Sequence, residues 1–194
     1  MILTISGTPG SGKSTVAKSL VERLQAERIY VGGIRRELAK EKGMTLEELN
    51  EYAQTHPETD VDVDQKAAAS ARQLHQQGKT VIVEGRTQYH FLPESIKIYI
   101  KCDFDEGARR IWKDLQNAVA RAERNEGNIN SLEDARRDIR RRQQNDTERY
   151  QKYYSIDPYD ESQYDLVVDT TKIMAEEAAQ RILDFVKTAE KKSL

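Results

Sequence analysis

The residues with the clearest capacity for chemistry form the segment GTPGSGKST, over residues 7–15. Gly7 is followed by four residues and then by Gly12-Lys13-Ser14, which is the spacing of a phosphate-binding loop between a strand and a helix. Glycines let backbone N–H groups point at a phosphate beside the helix N-terminus, and without a ligand the segment would be only a glycine-rich turn. Lys13 is expected to reach the β- and γ-phosphates of ATP, and Ser14 to ligate Mg²⁺. The predicted nucleotide-binding residues are Gly7, Thr8, Pro9, Gly10, Ser11, Gly12, Lys13, Ser14 and Thr15.

Two arginines are candidates for holding a phosphate on the molecule that accepts the transferred group. Arg36 lies in GGIRREL, where Gly32 and Gly33 would allow a tight turn from a strand into a helix. Arg86 follows the apolar run VIVE, at the strand end that faces the phosphate loop. Guanidinium groups from different elements can hold one phosphate between them, although each could also be an ordinary surface arginine. The sequence predicts that Gly32, Arg36 and Arg86 bind the acceptor.

An arginine-rich region over about residues 109–154 is predicted to form a lid. Most of its arginines alternate with acids, as on a solvated helix. Arg142 and Arg149 are seven residues apart and therefore share one helix face. A lid that closes over the site would exclude water and bring these two guanidinium groups to the transferring phosphoryl group.

Three acids are further candidates. In DVDVD, Asp60 and Asp64 share a helix face that Asp62 does not share. A carboxylate there could accept a hydrogen bond from the amino group of a base, or it could be an acid favoured by the helix dipole. Glu84 ends the strand that precedes Arg86. It could hold a water on Mg²⁺, or it could be a buried acid paired with an arginine.

Short apolar runs alternate with helical patterns along the whole chain. Strands are predicted over residues 2–6, 80–84, 96–100 and 164–170, with a weaker one over 28–31. Helices are predicted over 13–24, from Thr45, from Pro57 to Gly78, from Ser131 to about Tyr154, and over 172–189. This alternation predicts one doubly wound α/β domain over residues 1–194, in which about 32–78 bind the acceptor. Residues 121–130 have weak apolar periodicity and are predicted to be flexible.

The composition and net charge of the chain limit the kinds of molecule that it is expected to bind. A net charge of −2 gives no general attraction to nucleic acid or to an anionic membrane. Cys102 is the only cysteine in the sequence, which excludes an internal disulfide and fits a reducing compartment. His56, His75 and His90 share no metal-ligand spacing. We therefore expect a soluble, cytoplasmic monomer that acts on small molecules.

Taken together, several segments identify a resemblance to a known family. ISGTPGSGKSTVAKSL, GGIRRELAKEKGMTLEELNEYAQTHPETDVDVD, VIVEGR, RRRQQNDTERYQKYYSID and YDLVVDT resemble the nucleoside monophosphate kinases, and most closely the short cytidylate kinases typical of archaea. The resemblance implies the P-loop NTPase fold, with a five-stranded parallel sheet flanked by helices, acceptor-binding helices and a helical lid. It implies Mg²⁺-dependent transfer from ATP to CMP or dCMP. It implies that Arg36 and Arg86 bind the acceptor phosphate. It also implies that Asp60 and Asp64 lie in the acceptor-binding helix region and that Arg142 and Arg149 lie in the lid.

The chain departs from that pattern in four places, and other functions stay open. Tyr30-Val31-Gly32 stands where Ser-Ala-Gly is usual, and the segment TQYHF that follows VIVEGR is unusual. Thr147 stands where another lid arginine is expected, and the stretch around 112–130 is longer than the usual lid by several residues. An Asn-Lys-x-Asp segment, which signalling GTPases need, is absent. The alternatives are an adenylate kinase, a kinase of another small metabolite, an RNA-associated nucleotide-binding protein and a non-catalytic nucleotide sensor.

Overall fold

The computed structural model describes residues 1–125 and 129–192, which fold around a parallel sheet with the strand order β2-β3-β1-β4-β5. Its strands are β1 (Ile2–Gly7), β2 (Glu27–Tyr30), β3 (Val81–Glu84), β4 (Ile96–Lys101) and β5 (Leu166–Asp169). Strand β1 is buried along its whole length because helices cover both faces of the sheet. The predicted five-stranded parallel sheet is confirmed, and β5 is shorter than the predicted strand over 164–170.

Helices follow the strands in the alternation that the sequence predicts. They are α1 (Lys13–Leu24), α2 (Val31–Glu41), α3 (Leu46–Tyr52), α4 (Glu58–Gln76), α5 (Gln88–Phe91), α6 (Phe104–Leu115), α7 (Ala118–Arg124), α8 (Leu132–Tyr154) and α9 (Ala175–Lys192). Thr45 and Glu48 form the predicted capping box of α3, each side chain bonding to the other's backbone. Ser131 caps α8 by accepting from the Asp134 N–H group.

Apolar side chains form one layer on each face of the sheet and a third cluster in the lid. Leu3 and Ile5 of β1 pack against α1 and α9, whereas Ile2 points to the opposite layer beneath α4. The third cluster joins α6 and α8, for example through Ile111 and Ile139. The lid therefore has an apolar core of its own.

Two local predictions are corrected by the structure, and a third lies partly outside the described residues. Gly32 and Gly33 do not form a turn, because α2 already begins at Val31 and both glycines lie in its first turn. Helix α9 begins at Ala175 rather than at residue 172, and it extends to Lys192. Of the predicted flexible stretch over 121–130, residues 121–124 belong to α7, and residues 126–128 lie outside the described residues.

Candidate active site

The phosphate loop joins β1 to α1 and is pressed against two neighbouring elements. A Cβ atom on Gly7 would lie 1.8 Å from the Ile100 carbonyl oxygen of β4, and one on Gly10 would lie 2.4 Å from the Gly107 carbonyl oxygen of α6. Gly12 has φ of 82° and precedes the first residue of α1. Only glycine can give this close approach together with positive φ, and the resulting curve leaves the N-terminus of α1 open to an anion.

Lys13 is half-buried at the base of this loop and donates hydrogen bonds to loop carbonyl oxygens. Its Nζ atom lies 3.0 Å from the Gly7 oxygen and 2.6 Å from the Thr8 oxygen. Burial, reinforced by the positive charge of Arg86, lowers the pKa of Lys13 to about 7. An anion beside the amine would restore its full charge, which is the response expected of a phosphate-binding lysine.

Ser14 and Glu84 meet at the end of β3, and Arg28 holds the second oxygen of the same carboxylate. The Ser14 hydroxyl donates to Glu84 Oε1 at 2.5 Å, and Arg28 Nη2 contacts Glu84 Oε2. Both predicted interpretations of Glu84 are therefore compatible with the structure. This acid is paired with an arginine, and it also contacts Ser14, the predicted metal ligand. Serine and carboxylate oxygens are hard ligands that suit Mg²⁺. Among the described residues there is no group of three or more His, Cys, Asp or Glu side chains that could hold a metal ion. A bound Mg²⁺ would therefore need further oxygen ligands from the nucleotide and from water.

Arg36 lies one turn into α2, and three neutral oxygens accept its hydrogen bonds. Its Nη1 atom lies 2.6 Å from the Tyr30 hydroxyl and 3.0 Å from the Gly32 carbonyl oxygen, and its Nε atom lies 3.0 Å from the Arg124 carbonyl oxygen. No carboxylate of the described residues forms an ion pair with Arg36. Within the described part of the chain, its charge is therefore oriented but not neutralised by a carboxylate.

Other arginines of the site form a buried arginine cluster, whose members are Arg35, Asp60, Arg86, Asp146 and Arg149. Arg149 is fully buried, with Nε 2.7 Å from Asp60 Oδ2 and Nη2 3.0 Å from Asp146 Oδ1. Arg86 Nε lies 2.9 Å from Asp146 Oδ2, and Arg35 pairs with Asp60. Burial acts to raise the pKa of Asp146, but Arg86 and Arg149 outweigh it and hold this pKa below its usual range. The cluster connects α2, α4 and α8 to the end of β3.

These elements surround one cleft of about 660 Å³. The predicted site residues that line it are Pro9, Gly10, Gly12, Lys13, Ser14, Thr15, Gly32, Arg36, Asp64, Glu84, Arg86, Arg142 and Arg149. The remaining loop residues do not line the cleft; they are Gly7, Thr8 and Ser11. They contact the neighbouring elements instead, and the Thr8 hydroxyl accepts from the Cys102 N–H group. Asp60 lies behind the residues that line the cleft, and its carboxylate forms ion pairs with Arg35 and Arg149. The topology therefore brings the predicted nucleotide loop and the predicted acceptor arginines to one cleft.

Asp64 differs from Asp60 because it lines the cleft without an arginine partner among the described ion pairs. Gln88 Nε2 donates to its Oδ1 atom at 2.9 Å, and the Tyr154 hydroxyl donates to its Oδ2 atom at 3.0 Å. Burial, reinforced by the carboxylate of Asp60, raises the pKa of Asp64 to about 6. Asp62 is exposed, as the predicted helix face requires.

Asp146 and Arg28 are residues of the site that the sequence does not single out. Asp146 reads as one acid among many in α8, but it falls on the same helix face as Arg142 and Arg149, at intervals of four and three residues. Its spacing from these two arginines is the signal that could have identified it. Tyr30 and Arg28 alternate along β2 and therefore share a face, which places the Arg28 guanidinium carbon 4.6 Å from the ring centroid.

Comparison with known proteins agrees with this geometry. Residues 3–131 match the family described as an AAA domain. The cytidylate kinase of Methanopyrus kandleri is 35% identical over 174 residues, which are 89% of this chain and 86% of that protein. The cytidylate kinase of Archaeoglobus fulgidus is 36% identical over 187 residues, which are 96% of this chain and 94% of that protein.

Solved structures support the fold. A protein from Eubacterium ventriosum superposes with a TM-score of 0.68 at 17% identity, covering 96% of this chain and 98% of its own. Shikimate kinase from Acinetobacter baumannii superposes with a TM-score of 0.54 at 16% identity, covering 97% of this chain and 93% of its own. At such identities the likeness concerns the fold alone. The sequence matches extend over nearly the whole chain, and on that basis this chain belongs to the family of the archaeal cytidylate kinases.

Proposed function

We propose that this chain transfers the γ-phosphoryl group of ATP to CMP or dCMP, giving the nucleoside diphosphate and ADP. The observation that carries the proposal is one cleft with two cations, Lys13 and Arg36, whose hydrogen-bond acceptors are neutral oxygens. Each cation calls for an anion from outside the protein. Two such points on opposite elements suit a phosphate donor and an acceptor that already bears a phosphate.

The chain's residues would act mainly by positioning and by charge. The phosphate loop and Lys13 would hold the β- and γ-phosphates, and Arg36 would hold the phosphate of the acceptor. The acceptor phosphate oxygen is itself a nucleophile, and the reaction therefore needs no covalent enzyme intermediate. Mg²⁺, held by Ser14 and through water by Glu84, would neutralise charge on the donor phosphates.

Arg86, Arg142 and Arg149 would stabilise the transferring phosphoryl group from the acceptor and lid sides. Arg86 and Arg149 share the carboxylate of Asp146, with contacts of 2.9 and 3.0 Å. A phosphate that approached either guanidinium would compete directly with this carboxylate. We therefore infer that substrate binding loosens the buried arginine cluster and lets the lid close on the reacting groups.

Recognition of the base is assigned to Asp64. Its carboxylate faces the cleft and is held by Gln88 and Tyr154, whereas Asp60 is occupied by Arg35 and Arg149. The cytosine amino group is a donor that such an acceptor selects, and a base without that donor would leave the buried carboxylate poorly satisfied.

The experiment is ADP release measured by a coupled assay with ATP, Mg²⁺ and each nucleoside monophosphate in turn. We expect fast release with CMP and dCMP, and release at background level from the Lys13→Ala variant. A preference for AMP would keep the kinase but overturn the assignment of the base. Tight ATP binding without turnover on any monophosphate would overturn the proposed function.

The proposal extends to where and with what the protein acts. In the described part of the chain, none of the helices is both long enough and apolar enough to cross a membrane. With a net charge of −2, the chain has little general attraction to polyanions. We propose a cytoplasmic monomer that acts on small nucleotides, without a nucleic-acid or membrane partner. Analytical sedimentation at the concentration used in the activity assay measures the molar mass and so tests whether the protein is a monomer.

A further inference from the structure

We propose that Tyr30 is a positioning residue, which orients Arg36 and connects this acceptor arginine to the metal side of the cleft. The inference rests on the proposed function, because it takes Arg36 to be the site of the acceptor phosphate. It adds a residue, Tyr30, and a route of coupling between the donor and acceptor halves of the site.

The Tyr30 hydroxyl holds the guanidinium group of Arg36. Arg36 Nη1 donates to this hydroxyl at 2.6 Å, which is a short bond for a cation and a neutral acceptor. Long arginine side chains lose rotamer entropy when they bind an anion. A hydroxyl that fixes the guanidinium beforehand reduces this cost, and acceptor affinity therefore depends on it.

The ring of Tyr30 is itself fixed by its surroundings. A Cβ atom on Gly33 would lie 2.7 Å from ring atom Cδ1, and one on Gly32 would lie 3.0 Å from ring atom Cε2. The ring therefore lies directly against the first turn of α2, in space that only glycines leave open. Arg28 covers the ring with its guanidinium carbon 4.6 Å from the centroid, while that of Arg36 lies at 5.8 Å. Tyr30 consequently cannot change its orientation without moving one of these arginines.

Helix α7 supports Arg36 from the other side. Arg36 Nε donates to the Arg124 carbonyl oxygen at 3.0 Å. The next residue, Asn125, holds the start of α3, because its carbonyl oxygen accepts from the Leu46 N–H group at 2.9 Å. Arg36 is thus held between the Tyr30 hydroxyl and a backbone carbonyl of the lid region, which leaves its remaining donors for an acceptor phosphate.

A continuous series of contacts connects this arginine to the metal side. Ser14 donates to Glu84, Glu84 pairs with Arg28, and Arg28 covers the Tyr30 ring. A cation that took the Ser14 oxygen as a ligand would bring positive charge beside Glu84. The carboxylate would then be shared between this cation and Arg28, and a change at Arg28 reaches Tyr30 and Arg36 through direct contact. Coupling of this kind is reciprocal, since each ligand changes the affinity of the other by the same factor.

The test is the kinetics of Tyr30→Phe, which removes the hydroxyl and keeps the ring. We expect the KM for CMP to rise about tenfold, while the KM for MgATP stays within about twofold. Tyr153→Phe is the matched control, because that hydroxyl also makes a 2.6 Å bond, to the Ala53 carbonyl oxygen, but does not line the cleft. We expect no change in either KM from the control.

Two further measurements separate positioning from a general structural effect. In an Arg36→Met background, Tyr30→Phe should change the KM for CMP by less than about twofold, because the hydroxyl then has no guanidinium to orient. The ratio of CMP dissociation constants with and without a non-hydrolysable ATP analogue and Mg²⁺ should approach one in Arg28→Gln.

Each outcome decides a different claim. Equal rises in both KM values, or a full effect of Tyr30→Phe without Arg36, would overturn the positioning role and leave the kinase intact. An unchanged KM for CMP in Tyr30→Phe would do the same. If the wild-type protein turned over no nucleoside monophosphate, the proposed function would fail first and the positioning role with it.

Discussion

Replacing Arg149 by methionine should destabilise the whole protein as well as impair transfer. Arg149 is fully buried and contacts Asp60 and Asp146, and it also donates to the Asn50 carbonyl oxygen at 3.3 Å and to the Tyr150 hydroxyl at 3.1 Å. Removing one partner of a buried ion pair typically costs about 3–5 kcal/mol. Here each carboxylate keeps a second arginine, Arg35 or Arg86, which places the expected loss near the lower end, at about 3 kcal/mol.

Urea unfolding at neutral pH measures this loss. With a slope of about 2 kcal/mol per molar urea, a loss of about 3 kcal/mol lowers the midpoint by about 1.5 M. Arg137→Met is the matched control on the same helix, because Arg137 is exposed and, among the described residues, forms an ion pair with Asp134 alone, three residues earlier. That change should cost less than about 0.5 kcal/mol. A midpoint for Arg149→Met within about 0.3 M of the wild type would refute the assignment of Arg149 to a buried ionic cluster.

Three other variants probe separate parts of the site. Asp64→Asn should raise stability at pH 8 by up to about 3 kcal/mol, because burial raises the folded pKa of Asp64 from 3.8 to about 6 and stability is lost as pH rises through that range. The gain should vanish below about pH 4, which denaturation at several pH values checks. Lys13→Ala should abolish transfer without lowering the thermal midpoint, since burial disfavours the charged form of this amine and lowers its pKa to about 7; a large loss of stability would contradict this. Gly107→Ala would place a Cβ atom 2.8 Å from the Pro9 carbonyl oxygen. It should raise the KM for ATP several-fold with little effect on the KM for CMP, and equal effects on both would argue against a shift confined to the loop.

The sequence correctly predicts the features of the fold that depend on local pattern. The phosphate loop follows β1 and opens α1 where the glycine spacing places it, and the Thr45 capping box starts α3. The helix period correctly separated Asp60 and Asp64 from Asp62. In each of these cases the deciding contacts lie within a few residues along the chain, which is the range that periodicity and capping rules describe.

The sequence does not predict the features that depend on contacts between distant elements. Burial of Arg149 needs carboxylates from α4 and α8 to converge, and alternating charges along α8 do not show which side chain points inward. Gly32 and Gly33 suggested a turn, whereas their actual role is to leave room for the Tyr30 ring. Helix α7 is short and weakly periodic, yet its last residue holds Arg36, and the residue after it holds the start of α3. Tertiary contacts, rather than local propensity, decide all three.

The most direct test of the central claim follows the label from γ-labelled ATP in the presence of Mg²⁺ and CMP. If Lys13 and Arg36 hold donor and acceptor phosphates in one cleft, label should appear in CDP. Its formation should stop in Lys13→Ala, and in Arg36→Met it should require much higher CMP. Label released only as inorganic phosphate, or CDP formation that is insensitive to Arg36→Met, would contradict the account.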